Sequence, residues 1–357
     1  MPSTPEVGLA LSGGNALGAY AAGAYEALHE QGVRLDVISG ASVGAITAAL
    51  IAGSPPALRL QRLREFWAQA STGGWPWLGL PGWPRAAYNA WHTWQTFVLG
   101  RPGLFRPGAG WPTLLSSWPG GASAPAMFDT GPLLQTLQRL VDFEFLHRDG
   151  PRVVVCAVDL ETGEPVYVDS RQQRITPELL GASTGLVPCF RPVEVDGRLL
   201  ADPGLVCNLP LDPLLAPSPR DRVCIAVDLF TAAGLRPRTL NDAAERAQDI
   251  AFSAQSSRTL QAFRREQRLR HALQQAGQAL GGDQAVAEEP VGRVDVLLVE
   301  HHSPPHDGGG KTFEYSPASV QERWAAGRAD MVQALHRLET SEPDEDDLGF
   351  ALYRVPR

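Results

Sequence analysis

Asp36-Val37-Ile38-Ser39-Gly40-Ala41-Ser42-Val43-Gly44-Ala45-Ile46 is a short apolar run that breaks at a glycine and then resumes its apolar character. Its length and pattern predict a strand, a sharp turn and a helix. Within it, Gly40-Ala41-Ser42-Val43-Gly44 has the form G-x-S-x-G, whose two glycines leave room for a turn tight enough to push a serine hydroxyl out over the end of a sheet. Ser42 is therefore the candidate nucleophile. A short Gly/Ser turn also arises by chance in a glycine-rich chain; the predicted strand before it and helix after it favour the chemical reading.

Upstream, Val7 to Leu11 reads as a buried strand that ends in Ser12-Gly13-Gly14-Asn15-Ala16-Leu17-Gly18. A helix is predicted from about Ala16 to Gln31, with Leu17, Tyr20, Ala24, Ala27 and Leu28 as its apolar stripe and Gly32 as its stop. Strand, glycine loop, helix, strand, turn and helix in that order predict an α/β fold, with a parallel sheet and helices on its faces. The loop fits no nucleotide motif. A dinucleotide fingerprint needs glycine where Asn15 stands and an acidic residue at the end of the second strand, which here ends in Ser39-Gly40; a phosphate loop needs Lys-Ser/Thr where the chain has Ala19-Tyr20. Free N–H groups at a helix N-terminus stabilise any developing anion, a tetrahedral oxyanion included. Loop and serine follow adjacent strands at one sheet edge and are expected to face one reaction centre.

The chain of 357 residues is long enough for a large buried core, and 44% hydrophobic with 20% charged residues is ordinary for a globular protein. A net charge of -8 leaves no basic stripe for nucleic acid, which is excluded as the main partner. Met1-Pro2-Ser3-Thr4-Pro5-Glu6 lacks the features of a secretion signal and no stretch reaches about 18 apolar residues, so a cytoplasmic protein is expected. Cys156, Cys189, Cys207 and Cys224 are widely spaced and suggest neither a zinc site nor a disulfide framework.

Eight of the nine tryptophans fall between Trp67 and Trp118, among many prolines and glycines. This segment, about 67–126, reads as an insertion beside the active site: either a lipid-facing lid or a loop-rich subdomain that buries its own indoles. A helix is predicted over Arg85 to Leu99, another from Pro132 to Leu140 with Thr130 as its cap, and a third from Thr176-Pro177-Glu178 to about Ser183. Arg152 to Asp159 is a strand paired with Pro165 to Asp169; Val193 to Val195 and Arg198 to Ala201 form a hairpin about Asp196-Gly197, delivering Asp202-Pro203-Gly204 into a turn. Arg222 to Leu229 is a further strand. Residues 1–230 are taken as the catalytic domain and 231–357 as a helical extension holding a long polar helix, Leu240 to Leu280, one strand at about 293–299, a helix from Ser316 to Leu338 and an acidic tail.

Serine needs a base, and two candidates follow strands: Asp202, and the pair His301/His302. Spacing alone also allows a Ser42, Asp202, His301 or His302 triad. The run Leu9 to Tyr20 resembles the glycine-rich oxyanion loop of the patatin-like phospholipase family, Gly40 to Gly44 its nucleophile elbow, and Asp202-Pro203-Gly204 its D-G-G/A motif, followed by Asn208 and Pro210 where the family has N-x-P. The resemblance spans roughly Val7 to Leu211; Glu65-Phe66-Trp67, Phe313-Glu314-Tyr315-Ser316 and Glu322-Arg323-Trp324 look like a bacterial branch of it. It implies a three-layer α/β/α patatin-like fold with a mainly parallel central sheet. It further implies a Ser–Asp dyad without histidine: Asp202 accepts the Ser42 proton, and the backbone N–H groups of Gly13, Gly14 and Asn15 hold the oxyanion. A carboxylate can serve as that base only in a sheltered site.

Three residues depart from the family pattern. Asn15 stands where many members have glycine, adding a side-chain amide beside the oxyanion at a position where asparagine tolerates positive φ. Leu17 stands where many have arginine. Pro203 deletes an N–H after the aspartate and biases Asp202 toward extended backbone. The expected function is a lipid acyl hydrolase acting through an acyl-enzyme, with a lipid or ester substrate, no cofactor, and peripheral membrane contact through the Trp-rich insertion. The alternatives are a catalytically weak lipid- or partner-binding protein on the same scaffold, and a Ser-Asp-His esterase. No metal is expected: His301, His302 and His306 are interrupted by Pro304-Pro305, match no ligand spacing and read as an ordinary surface loop.

Overall fold

The computed structural model describes residues 4–73, 82–108, 126–234, 236–279, 292–340 and 349–354. β1 (Glu6–Leu11) runs through the glycine loop and a 3-10 turn (Asn15–Leu17) into α1 (Gly18–Glu30). β2 (Val37–Ala41) turns at Ser42 into α2 (Val43–Ala52), followed by α3 (Arg59–Ser71) and α4 (Arg85–Leu99). A small antiparallel pair, β3 (Arg106–Pro107) and β4 (Phe128–Asp129), precedes α5 (Gly131–Leu140) and α6 (Phe143–Arg148). Then come β5 (Arg152–Asp159), β6 (Pro165–Asp169), α7 (Pro177–Ser183), β7 (Val193–Val195) and β8 (Arg198–Ala201). The chain continues through α8 (Asp212–Leu215), β9 (Arg222–Asp228), α9 (Leu240–Ala279), β10 (Val294–Glu300), α10 (Pro317–Thr340) and β11 (Phe350–Arg354).

Among the described residues these strands form a nine-stranded sheet in the order β11-β10-β9-β1-β2-β5-β8-β7, with β6 paired to β5. The pairs from β11 across to β5 are parallel; those joining β6 and β8 to β5, and β7 to β8, are antiparallel. Successive side chains on a strand point to opposite faces, and the buried residues sort accordingly. Leu9, Ile38, Val155, Ile225 and Leu297 join α1, α2 and α10 on one face, whereas Ala10, Val37, Val154, Cys224 and Val296 join α8 and α9 on the other. Both faces are covered, so the fold is a three-layer α/β/α sandwich.

α1 and α10 lie close because each presents a glycine to the other's backbone. A Cβ on Gly23 would stand 1.9 Å from the carbonyl oxygen of Trp324, and one on Gly327 would stand 2.0 Å from that of Tyr20. α9, polar in composition, still buries a stripe at Asp249, Ser253, Ser256, Leu260, Phe263 and Gln267, the spacing of a single helix face.

Three local expectations are corrected. Residues 231–357 contribute two strands rather than one, and β10 pairs with β9, so the sheet is not interrupted at residue 230. Thr130 occupies the cap position of α5 without a side-chain cap bond; Asp129 Oδ1 instead accepts from Gly131 N–H at 2.9 Å. His301 is buried rather than on a surface loop. The lid reading of 67–126 rests largely on residues 74–81 and 109–125, which lie outside the described residues, as does the acidic tail at 341–347. Of the indoles described in that segment, Trp67 is buried and Trp83 and Trp94 are exposed. Among the described residues no helix is long and apolar enough to cross a membrane.

Candidate active site

β1 and β2 are parallel neighbours with Leu11 opposite Gly40, so the glycine loop and the Ser42 turn leave the sheet side by side at its carboxyl edge. Ser42 has φ 54° and ψ −126°, a conformation that costs a non-glycine residue of order 1–3 kcal/mol and is typical of a nucleophile elbow. The flanking glycines make the turn sterically feasible: a Cβ on Gly40 would lie 2.5 Å from the Gly44 backbone, and one on Gly44 2.2 Å from the Leu11 carbonyl oxygen. Ser42 also stands at the N-terminus of α2, where the helix dipole is positive. Its N–H donates to Ser183 Oγ at 3.0 Å, and Ser183 Oγ donates to the Cys156 carbonyl at 2.6 Å, so α7 and β5 brace the elbow. Nothing in the sequence around Ser183 marked it for this task.

Asp202 arrives from β8 and is buried. Its φ and ψ, −58° and 125°, are extended, which is what a residue before proline prefers, and Pro203 opens the following 3-10 turn, where its missing N–H leaves no bond unmade. The departure from the family pattern at Pro203 is thus absorbed by local geometry. Asp202 Oδ1 accepts from Gly204 N–H at 2.8 Å, and Ser42 stands beside the carboxylate, close enough to favour its ionised form. Burial pushes its pKa up to about 6 from an ordinary 3.8, with Ser42 and the Gly204 bond pulling the other way.

The glycine loop is clamped. Gly13 N–H donates to the Asn208 carbonyl at 2.9 Å, and Asn208 Nδ2 donates back to the Gly13 carbonyl at 3.2 Å. Of the three amides expected to hold an oxyanion, Gly13 is therefore engaged, whereas those of Gly14 and Asn15 have no acceptor among the described residues. Asn15 takes the positive φ that the sequence suggested, 53°. Gln255 on α9 ties the same region to the far layer: its Oε1 accepts from Asn208 N–H at 2.7 Å and its Nε2 donates to the Gly204 carbonyl at 2.9 Å.

Above Ser42 and Asp202 lies a cavity walled mainly by Ile46, Phe66, Trp67, Leu104, Phe105, Leu133, Phe190, Phe230, Phe313 and Tyr315. Its lining is predominantly apolar, with Ser42, Asp202, Asn15 and Asn208 among its few polar side chains. Phe313 and Tyr315 reach it from a turn fixed by buried ion pairs. Lys311 Nζ lies 2.6 Å from Asp249 Oδ1, and Arg323 donates to the carbonyls of Glu314 at 2.8 Å and Ala16 at 3.3 Å.

Neither His301 nor His302 lines this cavity. His301 packs against the ring of Tyr20 at 4.8 Å and, with His302, borders a separate cavity. Burial holds its pKa well below the usual histidine value, so it is neutral. Among the described residues no cluster of His, Cys, Asp or Glu is arranged to hold a metal ion.

A family model described as patatin-like phospholipase matches residues 9–215, and one described as patatin phospholipase matches residues 250–347. Curated relatives named as uncharacterized NTE family proteins, from Mycobacterium bovis and Mycobacterium tuberculosis, are 25% identical over 266 residues, which is 72% of this chain and 61% of theirs. The chain thus spans about three fifths of the length of those relatives. Among solved structures, VipD from Legionella pneumophila aligns over 94% of this chain and 67% of its own at 15% identity, with a TM-score of 0.43. ExoU in its heterodimeric complex with SpcU, from the type III secretion system of Pseudomonas aeruginosa, aligns over 96% and 53% at 15% identity, with a TM-score of 0.37.

Proposed function

The chain belongs to the patatin-like phospholipase family, and from that premise we propose that it is a lipid acyl hydrolase in which Ser42 and Asp202 form the catalytic pair. The observation that carries the reading is the placement of Ser42 beside a buried carboxylate, both of them lining one apolar cavity.

In this mechanism the acyl chain of an ester lies along the phenylalanine-rich wall, with its carbonyl carbon over Ser42 Oγ. Ser42 attacks as Asp202 takes its proton; a carboxylate whose pKa is raised by burial is a stronger base than one in water. The carbonyl oxygen becomes an oxyanion between the N–H groups of Gly14 and Asn15, near the positive end of α2. Collapse expels the alcohol, which takes the proton back from Asp202, and leaves an acyl-enzyme. Water then attacks that ester, again with Asp202 as base, releasing the fatty acid and restoring Ser42. The base must be ionised, so turnover rises with pH through about 6.

A fluorophosphonate probe tests the assignment. Labelling of the wild type but not of Ser42→Ala, with loss of turnover in Asp202→Asn, supports it. No labelling of either protein would make it a lipid-binding member of the family. Hydrolysis of p-nitrophenyl esters and phospholipids of graded chain length identifies the substrate.

A further inference from the structure

We propose that the side-chain amide of Asn15 is a third donor to the oxyanion, aimed there by the phenol of Tyr315; this rests on the Ser42 acyl-transfer reading above. The oxyanion loop is short of a donor, because Gly13 N–H is committed to the Asn208 carbonyl. Asn15 brings a carboxamide that a glycine at this position would lack, on a residue that lines the cavity beside Ser42. Its Nδ2 is buried and has no hydrogen-bond partner among the described residues. A buried donor left unpaired costs about 1–3 kcal/mol, and that cost is recovered if the missing acceptor is an oxygen that becomes negative only during the reaction.

The orientation of the amide follows from its neighbour. Tyr315 is buried, and burial pushes its pKa up, so its hydroxyl keeps its proton and is available as a donor. That proton goes to Asn15 Oδ1. With Oδ1 taken, Nδ2 is the free end and stands on the other side of the carboxamide. Tyr315 in turn has little freedom. Its ring stacks with the indole of Trp67 at 6.5 Å and 26°, and the Arg101 guanidinium lies over it at 5.6 Å. Arg101 is itself buried and anchored by bonds to Thr96 Oγ1 at 2.8 Å and to the His92 carbonyl at 3.1 Å. Residue 15 is therefore an oxyanion donor twice over, through backbone and side chain, and Tyr315 is its positioning residue.

Asn15→Gly tests the idea cleanly, because glycine keeps the positive φ and the backbone N–H and removes only the amide. Loss of one oxyanion donor lowers kcat by about 100-fold or more; the expected result is that drop with KM within about threefold of wild type, and an equal drop in the rate of fluorophosphonate labelling. Tyr315→Phe touches no backbone, and it should lower kcat by about tenfold with KM unchanged while the near-ultraviolet circular dichroism stays native. It carries the test alone should Asn15→Gly fail to fold. A kcat within threefold of wild type in either folded variant, or a loss expressed only in KM, overturns the proposal. Full turnover in Ser42→Ala would instead overturn the acyl-transfer reading beneath it.

Discussion

Replacing Asp202 by asparagine should make the protein inactive and, above pH 6, more stable. In the unfolded chain the aspartate ionises near its ordinary 3.8, whereas in the folded protein burial holds it to about 6. The folded state therefore binds the proton more tightly, and stability is lost as pH rises from about 4 to 6. Below that window both states are protonated and the residue carries no ionisation cost; above it the folded protein holds a buried charge. The difference between the two pKa values corresponds to about 3 kcal/mol at neutral pH. Asparagine fits the same space, and its carbonyl oxygen can accept from Gly204 N–H as Oδ1 does now. Urea denaturation of wild type and Asp202→Asn at a series of pH values between 4 and 8 measures the effect, the variant gaining up to about 3 kcal/mol as pH rises while ester hydrolysis vanishes. The comparison isolates Asp202, because Asp228, also buried and pushed up to about 7, is present in both proteins. Parallel stability curves, with no divergence across that window, would refute the claim that the carboxylate is strained by burial and is the base.

Three further outcomes are expected. Gly44→Ala drives a Cβ to within 2.2 Å of the Leu11 carbonyl oxygen, a clash of backbone with side chain that costs at least about 3 kcal/mol; a urea midpoint near that of wild type would contradict the elbow geometry. Gln255→Ala leaves Asn208 N–H and the Gly204 carbonyl without their partner, so it should lower stability by about 1–3 kcal/mol and reduce kcat more than KM, read by denaturation and steady-state kinetics. The double variant His301→Ala/His302→Ala should hydrolyse p-nitrophenyl esters within a few fold of wild type, and total loss in a folded protein would defeat the dyad.

The first fifty residues were readable because their signals are local. A strand, a glycine loop, a periodic helix and a G-x-S-x-G turn each announce themselves within a few positions, and β1, α1, β2 and α2 stand where those signals put them. The hairpin about Asp196-Gly197 was equally legible, both residues having positive φ in the structure. The contacts that tune the site were not. Tyr315 meets Asn15 from 300 positions away, and Ser183 meets the Ser42 amide across 141, so neither leaves any trace in the neighbouring sequence. Gly13 illustrates the same limit: its place in the loop was plain, but the commitment of its N–H to Asn208 depends on how two distant loops dock. His301, in a polar and proline-rich stretch, looked exposed because burial there comes from Tyr20 and α10 rather than from its own neighbours.

The sheet order has a bearing on how this protein comes into being. The glycine loop, the Ser42 turn and the Asp202 motif are all made by position 210, yet β9 has an unsatisfied edge until β10 pairs with it, and α1 is bare until α10 covers it. A ribosome that had released the chain at residue 230 would have delivered Ser42, Asp202 and the glycine loop on a half-built platform, open along Cys224 to Val227 and prone to stick to its siblings. The site described above is therefore expected to assemble only once β10 and α10 have been made.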